Sequence, residues 1–317
     1  MTERPTIHLL EHVHPDARAL LAQEAEVLSE DAPFPSACDA VIVRARRIAA
    51  EDIAACPNLK VIGKHGAGLD AIDTDAAAQR GIAVLSTPGA NAESVADLAV
   101  GFALALLRNI HAISLATKAG GRLPADQTQG YELSERRIGI FGIGATGRAT
   151  ARRLIDGFGA KVHAFDPGIP EDSWPPEIAR AATLPDLLER TQLLFLHAPL
   201  LPSTRGCIDA AALRSMPRGA FLVNCARGGI VDEAALAEAL ASGQIAGAAS
   251  DVFAQEPPSP DNPLFASPGF LATPHIGGAT TGALRRVGLS IVRQVLDRLR
   301  SGGTPAHPIQ PKTIEEI

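Results

Sequence analysis

Short apolar runs alternate along this chain with segments whose apolar residues recur at helical spacing. Thr6–Leu10, Ala40–Arg44, Leu59–Gly63 and Ile82–Leu85 are brief and mostly apolar, as strands covered on both faces of a parallel sheet are. Between them, Pro15–Ala25, Ile48–Ala55 and Asp75–Gln79 predict helices. The break Ser86-Thr-Pro88-Gly89 marks a first domain boundary, after which Asn91 can cap one long helix over Ala92–Ile110. The face of that helix is rich in Ala and Leu, wide enough to pack on a sheet and on a second subunit. Residues 120–130 are polar and irregular and predict an arm or loop.

A second series follows. Ile138–Phe141, Lys161–Asp166, Gln192–Leu196, Phe221–Asn224, Ile245–Ala249 and Leu271–Thr273 predict strands, and Ala149–Phe158, Leu184–Glu189, Ala210–Arg214 and Glu233–Ser242 predict helices. Thr281–Leu299 reads as a terminal helix, with Leu284, Val287, Ile291, Val295 and Leu299 on one face. The β-then-α rhythm predicts an α/β fold with parallel sheets. At 317 residues two domains are the default.

Composition narrows the classes. Apolar residues make up 46% and charged residues 20%, the balance of a soluble globular protein. The net charge of −6 leaves no basic footprint for nucleic acid or a membrane surface. Cys38, Cys56, Cys207 and Cys225 have no CxxC or disulfide-like spacing, so a reducing, cytoplasmic setting is expected. The N-terminal residues show no secretory signal, and the apolar stretch Ala99–Leu107 is half the length of a membrane span. His8, His12 and His14 match no metal-ligand spacing, and no metal is expected.

The strongest local signal is Arg137–Leu154, where a strand runs through Gly142-Ile143-Gly144-Ala145-Thr146-Gly147 into a helix. Unpaired N–H groups and the dipole at such a helix start favour a pyrophosphate, and glycines let it approach. Alone, that pattern is weak. Here the next strand ends at Asp166, 19 residues after Gly147, where a Rossmann unit places the acid that binds the ribose. A carboxylate there accepts from both ribose hydroxyls and repels a 2′-phosphate, which argues for NAD over NADP.

Ligands of open parallel sheets bind beyond the carboxyl ends of the strands. Arg44, Lys64, His65, Asp166, His197, Arg227, Asp251 and His275 all fall there. Arg227, followed by two glycines, can hold a carboxylate through two parallel hydrogen bonds and polarise a neighbouring carbonyl; it can equally be a surface arginine paired with Asp232 or Glu233. His275 can exchange a proton near neutral pH. Glu256 can orient its ring and favour the imidazolium, or be an exposed acid before a proline turn. Cys225 has no base beside it in sequence and reads as a packed thiol.

These residues stand in a larger set of motifs. VIGKHGAGLDAID (61–73), TPGANAESVADLAVG (87–101), HAPLLPSTRG (197–206), NCARGGIVDEAALAEAL (224–240), ASDVFAQEP (249–257) and NPLFASPGFLATPHIGGAT (262–280) occur with the glycine turn in the order found in the D-isomer-specific 2-hydroxyacid dehydrogenases, which the chain resembles over most of its length. The resemblance implies a Rossmann cofactor domain (91–282) inserted into a flavodoxin-like substrate domain (1–90 and 283–317), both doubly wound parallel sheets. It implies an NAD-dependent dehydrogenase acting on a small anionic 2-hydroxy or 2-keto acid such as hydroxypyruvate, glyoxylate or a phosphoglycerate-like acid. It makes Arg227, Glu256 and His275 the catalytic residues. It places cofactor contacts at Gly142–Gly147, Asp166, Ala198, Pro199, Thr204, Cys225, Ala226, Asp251 and Gly278. Substrate contacts are expected at Arg44, Lys64, His65, Gly66, Ala67 and Gly68, with the 64–68 loop holding the carboxylate, and a homodimer is expected through the helix near 92–110.

The chain departs from the family pattern at Ala145-Thr146, at Asp97 and in the arm at 120–130, which lacks the usual tryptophan. Phosphite dehydrogenases share a similar trio, whereas formate dehydrogenases usually carry glutamine where this chain has Glu256. An NAD(H)-sensing, corepressor-like binding protein is the alternative from a different class.

Overall fold

The computed structural model describes residues 4–28 and 34–301. In chain order the elements are β1 (Thr6–Leu9), α1 (Pro15–Glu24), β2 (Glu26–Leu28), β3 (Ala40–Val43), α2 (Ala50–Ala55), β4 (Val61–Lys64), α3 (Thr74–Gln79) and β5 (Ala83–Leu85). Then come α4 (Ala92–Leu107), α5 (Ile110–Lys118), α6 (Ala125–Thr128), β6 (Ile138–Phe141), α7 (Ala145–Arg152), β7 (Val162–Phe165) and β8 (Ala179–Arg180). The rest are α8 (Leu184–Arg190), β9 (Leu193–Leu196), α9 (Ala210–Ser215), β10 (Ala220–Asn224), α10 (Glu233–Ala241), β11 (Ile245–Ser250), β12 (Phe270–Ala272) and α11 (Thr281–Ser301).

The chain divides into two compact units. Among the described residues, one joins the stretch up to Asn91 to residues 278–301; the other is Ala92–Gly277. Residues 302–317, which fall in the expected substrate domain, lie outside the described residues.

The first unit holds a five-stranded sheet in the order β2-β1-β3-β4-β5, every pair parallel. That is the flavodoxin-like order, which reverses between β1 and β3. All four residues of β3 and of β4 are buried, and β3 reads as a continuous apolar run. Ile291, Val292, Val295 and Leu296 of α11 complete the core that Ile7, Leu9, Leu21 and Ile42 begin. A methyl at Gly63 would lie 2.7 Å from Val295 Cγ2, so α11 packs directly on the strand there.

The second unit holds a seven-stranded sheet in the order β12-β11-β10-β9-β6-β7-β8, also all parallel. Numbered from β6, this is the Rossmann order with one strand added, and it reverses between β6 and β9. The ion pairs Arg152–Glu93 (2.8 Å) and Arg153–Asp97 (2.6 Å) tie the helix after the glycine turn to α4.

The single helix expected over 92–110 is instead two. It stops at Leu107, Asn109 takes a left-handed conformation (φ 47°), and α5 starts at Ile110, the pair bent by 62°. Asparagine tolerates that conformation better than other residues with a Cβ, so a stop at Asn109 is locally permitted. The Tyr131 N–H donates to Leu107 O (3.0 Å) and the Asn109 side chain to Gln127 O (3.0 Å), so the following arm closes the break. The arm itself contains the short helix α6. Helix α7 begins at Ala145, earlier than the expected Ala149. The edge strands β2 and β8, three and two residues long, carry exposed Glu26 and Arg180 and are too short to leave an apolar run. Among the described residues no single helix is long and apolar enough to cross a membrane.

Candidate active site

The glycine turn follows β6 at the reversal point of the seven-stranded sheet, and its three glycines do different things. Gly142 (φ +94°) makes the turn; a methyl there would lie 2.5 Å from the Ala198 N, so the end of β9 packs directly on it. A methyl on Gly147 would lie 2.0 Å from Gly142 O, so only glycine lets α7 approach the turn. Gly144 has nothing within 4 Å of that position, and it caps α7 without any side-chain partner. The space above the helix start is therefore open on the side where a pyrophosphate needs it.

Ile143 contributes packing, being fully buried, while its N–H donates to Asp166 Oδ2 (2.8 Å). The Gly168 N–H donates to Asp166 Oδ1 (2.9 Å), which sets the carboxylate beside the turn at the end of β7. Ala145 is exposed and Thr146 half-buried at the helix start. Open space, helix dipole and placed carboxylate together fit a dinucleotide. Across the reversal point lie buried Ala198 and exposed Pro199; Thr204 closes their turn, donating to Pro199 O (2.6 Å) and accepting from Leu201 N (2.8 Å). Cys225 is a thiol whose pKa burial pushes upward, consistent with a packed residue.

Arg227, Glu256 and His275 belong to loops at the carboxyl ends of β10, β11 and β12. Asn224 shapes the first loop: its Oδ1 accepts from Ala226 N and its Nδ2 donates to Arg227 O, both at 3.0 Å. A methyl on Gly228 would lie 1.9 Å from the Phe253 carbonyl carbon, so glycine brings the arginine loop against the loop that carries Glu256. Asp232 caps α10, accepting from Ala235 N (3.0 Å), and Glu233 accepts from Ala254 N (2.7 Å) and Asn262 Nδ2 (2.6 Å). The Arg227 charge acts on Glu256.

His275 Nδ1 lies 2.7 Å from Glu256 Oε2. Phe253 N–H donates to the other oxygen, Oε1, at 3.0 Å. Burial works to raise the Glu256 pKa, but the hydrogen bond from His275, the Phe253 N–H and the charges of His275 and Arg227 outweigh it, and the carboxyl sits below its usual range. An ionised carboxylate only accepts, so Nδ1 carries the hydrogen and Nε2 is left for proton exchange. The ring is half-exposed, at 50% of its side-chain surface.

His275 has a positive φ (56°), unusual for a residue with a side chain, and the surrounding bonds impose it. Its N–H donates to Asp251 O (2.8 Å), and the Asp251 carboxylate accepts from Thr273 Oγ1 (2.5 Å), Ile276 N (2.7 Å) and Gly277 N (2.7 Å). Asp251 is buried, and its carboxylate holds the histidine turn. Asn224 and Thr273 support the trio and were not singled out from sequence. A polar residue at a strand end followed by a tight turn was the available signal.

In the first unit, Arg44, Lys64 and His65 come together at the ends of β3 and β4, where the charges of Arg44 and Lys64 both oppose protonation of His65. The Lys64 and His65 side chains are both buried at these strand ends. His65 is 5% exposed, its pKa lowered chiefly by burial, and a methyl on Gly288 of α11 would lie 3.6 Å from its Nε2. Lys64 is buried too and donates from Nζ to Arg44 O. The loop beyond, Gly66-Ala67-Gly68, is pinned by Thr87, whose N–H donates to Gly66 O (2.9 Å), and leaves Ala67 exposed. Gly278 groups with this unit, against Asn91. Among the described residues no group of three His, Cys, Asp or Glu side chains could hold a metal ion.

Two doubly wound parallel sheets, one with a dinucleotide cradle and a histidine–carboxylate pair at its carboxyl edge, define a nicotinamide-dependent oxidoreductase. The family model for the D-isomer specific 2-hydroxyacid dehydrogenase NAD binding domain matches residues 100–277. A hydroxypyruvate reductase of Thermotoga maritima is 37% identical over 307 residues, covering 93% of this chain and 99% of that protein. The D-3-phosphoglycerate dehydrogenase of Mycobacterium tuberculosis is 36% identical over 92% of this chain, which spans only 56% of that relative. The NADPH-dependent glyoxylate/hydroxypyruvate reductase of Sinorhizobium meliloti, solved in complex with citrate, superposes with a TM-score of 0.85 at 29% identity, covering 96% of this chain and 98% of that one. The chain belongs to the D-isomer-specific 2-hydroxyacid dehydrogenase family.

Proposed function

We propose that this protein interconverts small, polar D-2-hydroxy acids and 2-keto acids with NAD(H), hydroxypyruvate and glyoxylate first, and a phosphoglycerate-like acid next. The observation that carries the chemistry is the 2.7 Å contact between His275 Nδ1 and Glu256 Oε2, which leaves Nε2 as the exchanging nitrogen. When bound, the nicotinamide supplies or accepts a hydride. The chain's residues do the rest. Arg227 clamps the substrate carboxylate and polarises the C2 carbonyl, and His275 gives its Nε2 proton to the carbonyl oxygen during reduction or takes it back during oxidation. Glu256 keeps the ring in the tautomer and orientation that this transfer needs. Arg44 and the backbone of Gly66, Ala67 and Gly68 recognise the anionic substrate. The names of the Thermotoga and Sinorhizobium relatives support the substrate pair.

The test is oxidation of NADH, followed at 340 nm, with a panel of 2-keto acids. Hydroxypyruvate or glyoxylate is expected to be reduced, with kcat/KM lowered roughly a hundredfold or more in Arg227→Ala through loss of a charge-assisted pair and of carbonyl polarisation. NADH binding without turnover of any acid would leave the sensor reading standing.

NAD is preferred over NADP on the strength of Asp166, whose carboxylate beside the turn would face a 2′-phosphate. Asp166→Ala is expected to raise KM for NADH by about tenfold, the loss of a charge-assisted hydrogen bond, while KM for NADPH falls. Apolar Ile110 and Leu115, 53% and 55% exposed at the start and middle of α5, support a homodimer built on α4 and its continuation.

A further inference from the structure

The strand order of the first unit's sheet reverses between β1 and β3, and just beyond that point a side chain fills a nest of backbone donors. Glu11, following β1, accepts from three successive N–H groups in the loop after β3. Arg44 N reaches Oε2 at 2.5 Å, Ala45 N reaches Oε2 and Oε1 at 2.7 and 2.9 Å, and Arg46 N reaches Oε2 at 3.1 Å. Consecutive N–H groups aimed at one point form an anion-binding concavity, and reversal points of parallel sheets are where ligands collect. Here the anion is built in. The opposite charge grips the same loop from β4, where buried Lys64 donates its ammonium to the Arg44 carbonyl. One peptide segment is thus held by a carboxylate on its donors and an ammonium on its acceptor. The Arg44 side chain, half-buried, has no ion-pair partner among the described residues.

We propose that Glu11 and Lys64 are positioning residues that fix residues 44–46 so that Arg44 is presented to the anionic substrate. The proposal rests on the reading of Arg44 as a substrate contact. It also gives Lys64, whose ammonium donates to the Arg44 carbonyl, a part in holding the loop. A loop left unclamped would let Arg44 sample many orientations and pay an ordering cost at each binding event, which appears in KM and leaves the hydride and proton steps alone.

The experiment compares Glu11→Ala, Glu11→Gln, Arg44→Ala and the double variant Glu11→Ala/Arg44→Ala in the full chain, using hydroxypyruvate and NADH together with amide hydrogen exchange. Glu11→Ala is expected to speed exchange at residues 44–46 at least about tenfold as local opening becomes easier. It should raise KM for hydroxypyruvate about tenfold, the scale of one charge-assisted contact, with kcat held within about twofold. Glu11→Gln, which keeps one acceptor oxygen, falls between it and the parent and serves if the alanine variant does not fold. The double variant is expected to have the KM of Arg44→Ala, since Glu11 acts through Arg44. If Arg44→Ala raises KM while neither Glu11 variant changes KM or exchange, the clamp is overturned and the substrate reading stands. If Arg44→Ala leaves KM unchanged, the assignment of Arg44 to the substrate falls, and the clamp proposal falls with it.

Discussion

His275→Ala is expected to lower kcat for keto-acid reduction by roughly two to four orders of magnitude, the range that a positioned general acid contributes. NADH binding, followed by fluorescence, should be retained, because the cradle at Gly142–Gly147 is built from other loops. Glu256→Gln separates orientation from proton transfer. An amide at 256 can still accept from Nδ1–H, but it carries no charge to favour an imidazolium, so kcat should fall less than in the alanine variant. The pH profile carries a sign of its own. Glu256 sits below the usual carboxylate range, so its support of the ring is present at neutral pH and is lost only as pH falls through that lowered value. Glu256→Gln should accordingly lose the acid-side dependence that the parent retains. Full activity in His275→Ala would remove the proposed proton donor.

The second large effect is on stability. His197, the residue after β9, has Nε2 3.0 Å from Thr150 Oγ1 and a buried Nδ1 without a hydrogen-bond partner, and burial lowers its pKa to about 4. The sign follows directly. The unfolded chain protonates this ring as pH falls below its ordinary value near 6.5, and the folded chain does so only near 4. The contribution is therefore complete above about pH 6.5 and declines as pH drops toward 4. A shift of this size corresponds to about 3 kcal/mol, and contact of the half-buried residue with solvent brings the expected loss to roughly 2 kcal/mol. Urea unfolding at pH 7.5, 5.5 and 4.5 reads it. In His197→Asn the slope across that interval should flatten, even if the variant starts from lower stability through its altered bond to Thr150. An unchanged slope would mean that the ring titrates normally in the folded protein.

Much of this architecture is legible in the sequence because buried parallel strands leave a simple trace. Ile138–Phe141, Leu193–Leu196 and Ala220–Asn224 are buried throughout, and nearly unbroken apolar runs marked them. The edge strands β2 and β8 left a weaker trace, since they are only three and two residues long and exposed Glu26 and Arg180 occupy them. The stop at Asn109 was hidden for another reason: the apolar periodicity continues on both sides, and the arm that closes the break comes later in the chain. At the site, residue type and motif order placed Arg227, Glu256 and His275 on loops at one edge of one sheet. They did not reveal which polar residues are committed to the fold. Lys64, His65 and Asp251 sit at strand ends like the trio, yet each is buried, which three-dimensional packing alone decides. Glu11 was passed over because the three donors it satisfies lie 33–35 positions away.

The placement of α11 in the first unit has a consequence for biosynthesis. Its Ile291, Val292, Val295 and Leu296 lie against a sheet assembled from the opening part of the chain. A ribosome therefore releases the five strands of that sheet well before the helix that covers them, whereas every segment of the unit between has already emerged. Domains usually mature in the order in which they are translated. Here the intervening unit is expected to reach its native state first. The nascent amino-terminal strands meanwhile expose an unfinished apolar face, which makes them natural clients for a chaperone.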